Sequence, residues 1–189
     1  MALSFRFGVA VFAAFLASGC AVGGSSGGEA PGSDSRPTSE INDPRDAASV
    51  QQCSLLKSED IQALGLSPDG KVKPNELDPS MPDNCTWESD DGKKSLAVTV
   101  FPGRSIQQYR DNSDSYVDFS EMVIAGHPAV QANASSPEGG SCGIFLGTKD
   151  DQVVSAVAID FTKAEKPYDP CPLAKSALEA SVPTLPAAK

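Results

Sequence analysis

The chain is short of the residues that carry most enzyme chemistry. It has one histidine, His127, and one tryptophan, Trp87, and only 6% of it is aromatic. One histidine is too few for a mixed zinc site, and no C-x₂₋₄-C pair is present to begin a thiolate one. The missing C-x-x-C also removes a thioredoxin-like redox pair. There is no P-loop and no dinucleotide fingerprint; the glycine pairs fall in polar stretches instead. Positive charge is scarce: 15 Lys and Arg stand against 25 Asp and Glu, for a net charge of −10. Such a surface is repelled by nucleic-acid phosphates and anionic headgroups, which excludes a nucleic-acid partner and a basic membrane-binding patch. Beyond residue 17 no apolar run approaches the roughly 20 residues that span a bilayer.

What is there begins with an export leader. Arg6 forms a short positive region, and Phe7 to Ala17 is apolar but too short to span a membrane. Leu16-Ala17-Ser18-Gly19-Cys20 then reads as a lipobox. Residues 1–19 would be removed as a signal peptide, and the Cys20 thiol would carry a diacylglyceryl group with acyl chains of the palmitate type. The fit is good but not ideal, because Ala17 stands where Leu is usual and Leu16 is one place early. An ordinary secretory signal with an incidental cysteine is the competing reading. Two or three acyl chains, at about 0.8 kcal/mol per buried methylene, would hold the protein on the outer face of the cell membrane. Residues 21–50 are rich in Gly, Ser, Pro, Asp and Ala, and their few large apolar side chains are Val22, Ile41 and Val50. Such composition cannot offset its own ordering entropy. The expectation is a flexible tether over 20–50, reaching roughly 30 Å, ahead of a globular domain over 51–186.

Within that domain Ser58 is read as the cap of a short helix over 58–64 that stops at Gly65. Residues 67–83 hold four prolines and read as loop, with a short edge strand near Val72. Cys85–Glu88 and Leu96–Phe101 form a hairpin around Asp90-Asp91-Gly92, with Leu96, Val98 and Val100 on one face. Ser105 caps a helix through Ile106 and Tyr109 that runs to about Arg110. Phe119–Ala125 and Pro128–Ala132 read as strands around Gly126-His127. Gly143–Leu146 and Gln152–Phe161 form another hairpin. Asp169 caps a last helix, with Pro170 in its first turn and Leu173, Ala177 and Leu178 on its apolar face. Five to seven strands joined by tight turns give an α+β fold: a single antiparallel sheet with helices covering a face.

Five cysteines are an odd number, and assigning Cys20 to lipid leaves Cys53, Cys85, Cys142 and Cys171. In an exported chain these are most simply two disulfides. Three pairings are possible. Cys53–Cys85 and Cys142–Cys171 are favoured, since each ties the start of a helix to the start of a strand across a loop of about 30 residues, worth about 3–4 kcal/mol.

Several motifs match by letter and fail by context. Gly139-Gly140-Ser141-Cys142-Gly143 fits G-x-S-x-G, but a nucleophile elbow needs strand before and helix after, and His127 comes before the serine. Ser54-Leu55-Leu56-Lys57 fits S-x-x-K without its companion motifs. The run Asp111, Asp114, Asp118, Glu121 fails as a calcium loop, with Tyr116 where Gly is required and Met122 where Glu should be. Asn84-Cys85-Thr86 and Asn133-Ala134-Ser135 match a glycosylation sequon, a chance match if the lipobox places the chain in a bacterium. His127 reads as a hairpin-turn or surface histidine. Trp87 reads as packed over a disulfide. No catalytic residue, metal ligand or cofactor is assigned.

Cys53-Ser54-Leu55-Leu56, Ile61-Gln62-Ala63-Leu64-Gly65-Leu66, Cys85-Thr86-Trp87, Gly126-His127-Pro128-Ala129, Cys142 and Asp169-Pro170-Cys171-Pro172-Leu173-Ala174 together carry a likeness. The chain resembles actinobacterial lipoproteins with the domain of unknown function 3558. The resemblance covers roughly 50–186 plus the lipobox and tether. It implies an envelope lipoprotein and no established activity. The leading expectation is a lipid-anchored extracytoplasmic domain that binds a protein, a cell-wall component or a small ligand without catalysis. The rivals are a hydrolase using a serine or carboxylate with His127, and a structural or secretion-accessory envelope protein.

Overall fold

The computed structural model describes residues 41–75 and 78–189; Cys20 and the leader lie outside them. Seven strands form one sheet: β1 (Lys71–Lys73), β2 (Asn84–Glu88), β3 (Lys94–Pro102), β4 (Ser120–Ile124), β5 (His127–Gln131), β6 (Ser141–Lys149) and β7 (Gln152–Asp160). Their order across the sheet is β1-β2-β3-β7-β6-β5-β4, and every neighbouring pair is antiparallel. Three helices accompany them: α1 (Ser58–Ala63), α2 (Ile106–Asp111) and α3 (Cys171–Ser181). The α+β fold with one antiparallel sheet is the expected one.

The alternation in β3 sets the main core. Leu96, Val98 and Val100 are buried on one face and stand opposite Ala158, Ala156 and Val154 of β7. Cys142, Ile144 and Leu146 of β6 meet the same three residues from the other side. Two alanines flanked by larger side chains leave a trough along β7. α3 fills it with Leu173, Ala174, Ala177 and Leu178, and α1 adds Ile61 to the same cluster. Fully burying one such leucine or isoleucine is worth about 1.5–3 kcal/mol.

The opposite face is covered only in part. α2 lies over β5 and β6 there, and Ile106, Tyr109, Val130, Ala132 and Val153 form a second, smaller cluster. On the remainder of that face, Thr86, Ala97 and Val157 follow one another across β2, β3 and β7. Val157 stays 37% exposed.

Two caps differ from expectation. α1 is capped from Lys57, so Ser58 is its first residue and its hydroxyl caps nothing. α3 starts after Pro170, with no side-chain cap from Asp169. There the disulfide through Cys171 and the fixed φ of Pro170 hold the first turn instead. α2 has the cap that was read: Ser105 Oγ accepts from Gln108 N, and Gln108 Oε1 accepts from Ser105 N.

Residues 41–50, read as the end of the tether, lie against the sheet, with Ile41 and Ala47 buried. Backbone pairing accounts for this strap. Arg45 N donates to Thr148 O at 2.8 Å, Asp46 N to Pro186 O at 2.9 Å, and Ala188 N to Pro44 O at 2.8 Å. The buried Gln152 locks it further. Its Oε1 accepts from Ala47 N at 2.6 Å and from Thr148 Oγ1 at 3.0 Å, and its Nε2 donates to Asp46 Oδ1 at 3.1 Å.

Candidate functional site

The four domain cysteines pair as Cys53–Cys85 and Cys142–Cys171, each with Cα atoms 5.1 Å apart. That separation is ordinary for a disulfide. The first joins the turn after the strap to β2, and the second joins β6 to α3. Trp87, two residues after Cys85, is buried on the same face of β2. Gly70 lies against both its ring and the Cys85 sulfur. Cys20, the proposed lipid site, is outside the described residues.

His127 is not the surface or turn residue that was expected. Ala125 and Gly126 make the turn between β4 and β5, with φ of 48° and 84°. His127 is the first residue of β5 and only 2% exposed. Its Nδ1 lies 3.2 Å from Ala125 O and its Nε2 lies 3.0 Å from Asp43 O. Both ring nitrogens therefore meet backbone carbonyls, one of them in the strap. Neither is left for a serine or a metal.

The other candidates disperse in the same way. Ser141 opens β6 on the surface beside the disulfide-bonded Cys142, with no helix after it. Ser54 and Lys57 are exposed around the start of α1. Glu121 pairs with Arg110 at 2.8 Å. Asp118 accepts from Asn133 N, Asn133 Nδ2 and Gln131 Nε2 at 2.7–2.8 Å. Asn133 Oδ1 in turn accepts from Gly143 N at 2.7 Å, so this sequon asparagine is a structural tie. Among the described residues no three His, Cys, Asp or Glu side chains converge as a metal site.

The best-organised recess lies elsewhere, on the partly covered face. β3 ends at Pro102, and Gly103, at φ 76°, turns the chain back while its N–H donates to Asp151 O at 2.7 Å. The turn lays the Arg104 guanidinium over the Phe101 ring, 4.4 Å from its centroid. Arg104 Nη1 donates to Tyr109 Oη at 3.2 Å, and Nη2 approaches Met81 Sδ at 3.7 Å. The Tyr109 ring sits 4.3 Å from that of Phe145 and 6.4 Å from that of Tyr116, which continues to Phe119 at 6.2 Å. Burial raises the Tyr109 phenol above its usual range, against the opposing pull of Arg104. Arg104, Gln108, Tyr109, Asn112 and Tyr116 line a recess of about 240 Å³.

Sequence reasoning missed this group. It saw the Ser105 cap, but nothing in the letters tells which way a lone Arg104 turns after Gly103.

The family described as a protein of unknown function, DUF3558, matches residues 15–184. No curated protein matches the chain.

Proposed function

Given that the chain belongs to the DUF3558 family of proteins of unknown function, we propose that it is a bacterial envelope lipoprotein. Cys20 holds it to the outer face of the cell membrane by lipid, and the domain works outside the cytoplasm by binding rather than by catalysis. One observation carries this reading. Of five cysteines, four are joined in two disulfides, which leaves Cys20, at the end of the apolar leader, as the one not paired within the domain. Disulfides of this kind belong to an oxidising compartment, which agrees with export. The excess of acidic residues leaves the acyl chains as the means of attachment.

Binding is favoured over hydrolysis because the only histidine has both ring nitrogens on backbone carbonyls. A general base needs one of them within reach of a substrate proton. The partner would be a protein, a cell-wall component or a small ligand, and nucleic acid is excluded by charge.

The test is the amino terminus of material purified from a bacterial membrane. Mass spectrometry should find a diacylglyceryl group on Cys20 and no residues before it. Cys20→Ala should move the protein out of the membrane fraction. An unacylated terminus on membrane-purified protein would overturn the reading.

A further inference from the structure

Three arginines lie among the described residues. Arg45 pairs with Asp43 and Arg110 with Glu121. Arg104 has no carboxylate partner among the described residues; its contacts are a ring, a phenol and a thioether. Partners are not scarce, because acids outnumber bases 25 to 15. A guanidinium held over an aromatic face is fixed in orientation and keeps its charge. Of its five N–H donors, two are engaged by the neutral Tyr109 and Met81, so the rest are available to an oxyanion.

The rest of the recess has matching unused chemistry. Gln108 Oε1 is taken by Ser105 N, which leaves its Nε2 donor. Asn112 Nδ2 donates to Gln108 O, which leaves its Oδ1 acceptor. Tyr109 Oη accepts from Arg104 and still has a proton to give. Tyr116 adds a half-buried ring. One cation, an amide donor, an amide acceptor, a phenol and a ring suit a ligand with one negative charge, several hydroxyls and an apolar face. The volume, about 240 Å³, falls below that of pockets for drug-sized ligands and fits a single small ring. A phosphate dianion would call for more positive charge than the one arginine supplies.

We propose that this recess binds an acidic sugar. Arg104 takes the carboxylate, Gln108 and Asn112 take hydroxyls, and Tyr116 takes the C–H face of the ring. The proposal rests on the reading that the domain binds, and it names where and what.

The test uses the full-length chain in detergent with glucuronic acid, its methyl ester and glucose, followed by titration calorimetry and ligand-observed NMR. Glucuronic acid should bind about ten- to a hundred-fold more tightly than the ester or glucose, the range expected for a charged hydrogen bond. Arg104→Gln should bring glucuronic acid down to the level of glucose with thermal unfolding little changed. Should that variant fail to fold, Asn112→Ala, at an exposed position, should weaken all three sugars several-fold. Equal binding of acid and ester, binding unchanged in Arg104→Gln, or no binding at millimolar sugar would each overturn the proposal. So would N-acetylalanine or inorganic phosphate binding as tightly as glucuronic acid. Sugar binding without preference for the carboxylate would remove this assignment and leave the binding role standing. Membrane fractionation of Cys20→Ala tests the anchor independently.

Discussion

At Gly70 the side chain that is absent matters most. A Cβ there would lie 2.5 Å from Trp87 Nε1 and 2.8 Å from Cys85 Sγ. Both neighbours are buried, and the sulfur is held by its disulfide, so neither can yield cheaply. Gly70→Ala should therefore cost about 1–3 kcal/mol, as overpacking does. Calorimetry would show a fall of roughly 2–4 °C in Tm per kcal/mol for a domain of this size. Tryptophan emission should shift with it, because Trp87 is the only reporter. An unchanged Tm would mean that the Trp87 ring has room to move. His127 makes the complementary case, a residue whose two ring nitrogens each face a backbone carbonyl. His127→Ala removes the ring N–H that serves one of the Asp43 and Ala125 carbonyls, and leaves a hole where the buried imidazole was, at about 1–3 kcal/mol. The same variant should bind ligand at the Arg104 recess as the parent does. Lost binding in a folded His127→Ala protein would place the histidine in the working site after all.

At the level of elements, the strands were readable and the strap was not. Period-two alternation in β3 gave the strand and its buried face, since only one register puts Leu96, Val98 and Val100 inside. In β7 the core face carries Ala156 and Ala158 beside Val154, and alternation there did not single it out. The Ser105 cap was readable because its partner Gln108 lies three residues away. The position of His127 was missed because the turn is Ala125-Gly126, and an alanine at positive φ gives no signal in sequence. The strap 41–50 was missed because composition measures apolar burial. This segment is held by Gln152, 105 residues away from Ala47, and by the carbonyls of Thr148 and Pro186. Gln152→Ala should leave the buried Ala47 N–H without its acceptor, at about 1–3 kcal/mol. Hydrogen exchange should then speed up over 45–50 more than in β3 or β7. Acid should loosen the same contact. The Gln152 amide, helped by the Lys149 ammonium, holds the Asp46 carboxyl below its ordinary value of 3.8. A depressed carboxyl stabilises the fold above that value, and the contribution is lost as pH falls through the lowered one. Protection over 45–50, taken relative to the intrinsic exchange rate at each pH, should fall below about pH 4, and this step should be lost in Asp46→Asn. A step that persists in Asp46→Asn would assign the acid sensitivity to another group.

Taken whole, the molecule divides its labour between the two faces of one sheet. Both disulfides serve the face with the larger core. Cys85 and Cys142 belong to that cluster, and Cys53 and Cys171 pack against it. The second face, with α2 and the Arg104 recess, has no disulfide; the Tyr109 ring stacks and the Ser105 capping box hold it. The two disulfides span 32 and 29 residues, so each contributes about 3–4 kcal/mol by restricting the unfolded chain. Replacing Cys142 and Cys171 together by alanine should lower Tm by about 6–16 °C. That loss should be local before it is global. α3 should lose exchange protection first, because its buried Leu173, Ala177 and Leu178 then hold it without the bond to β6. β3 and β7 pair over nine residues in the middle of the sheet and should remain protected. So should α2, and with it the affinity of the recess, as long as the domain stays folded. If binding at Arg104 fell in step with α3 protection, the two faces would be coupled through the sheet, and a face-by-face account of this fold would have to be abandoned.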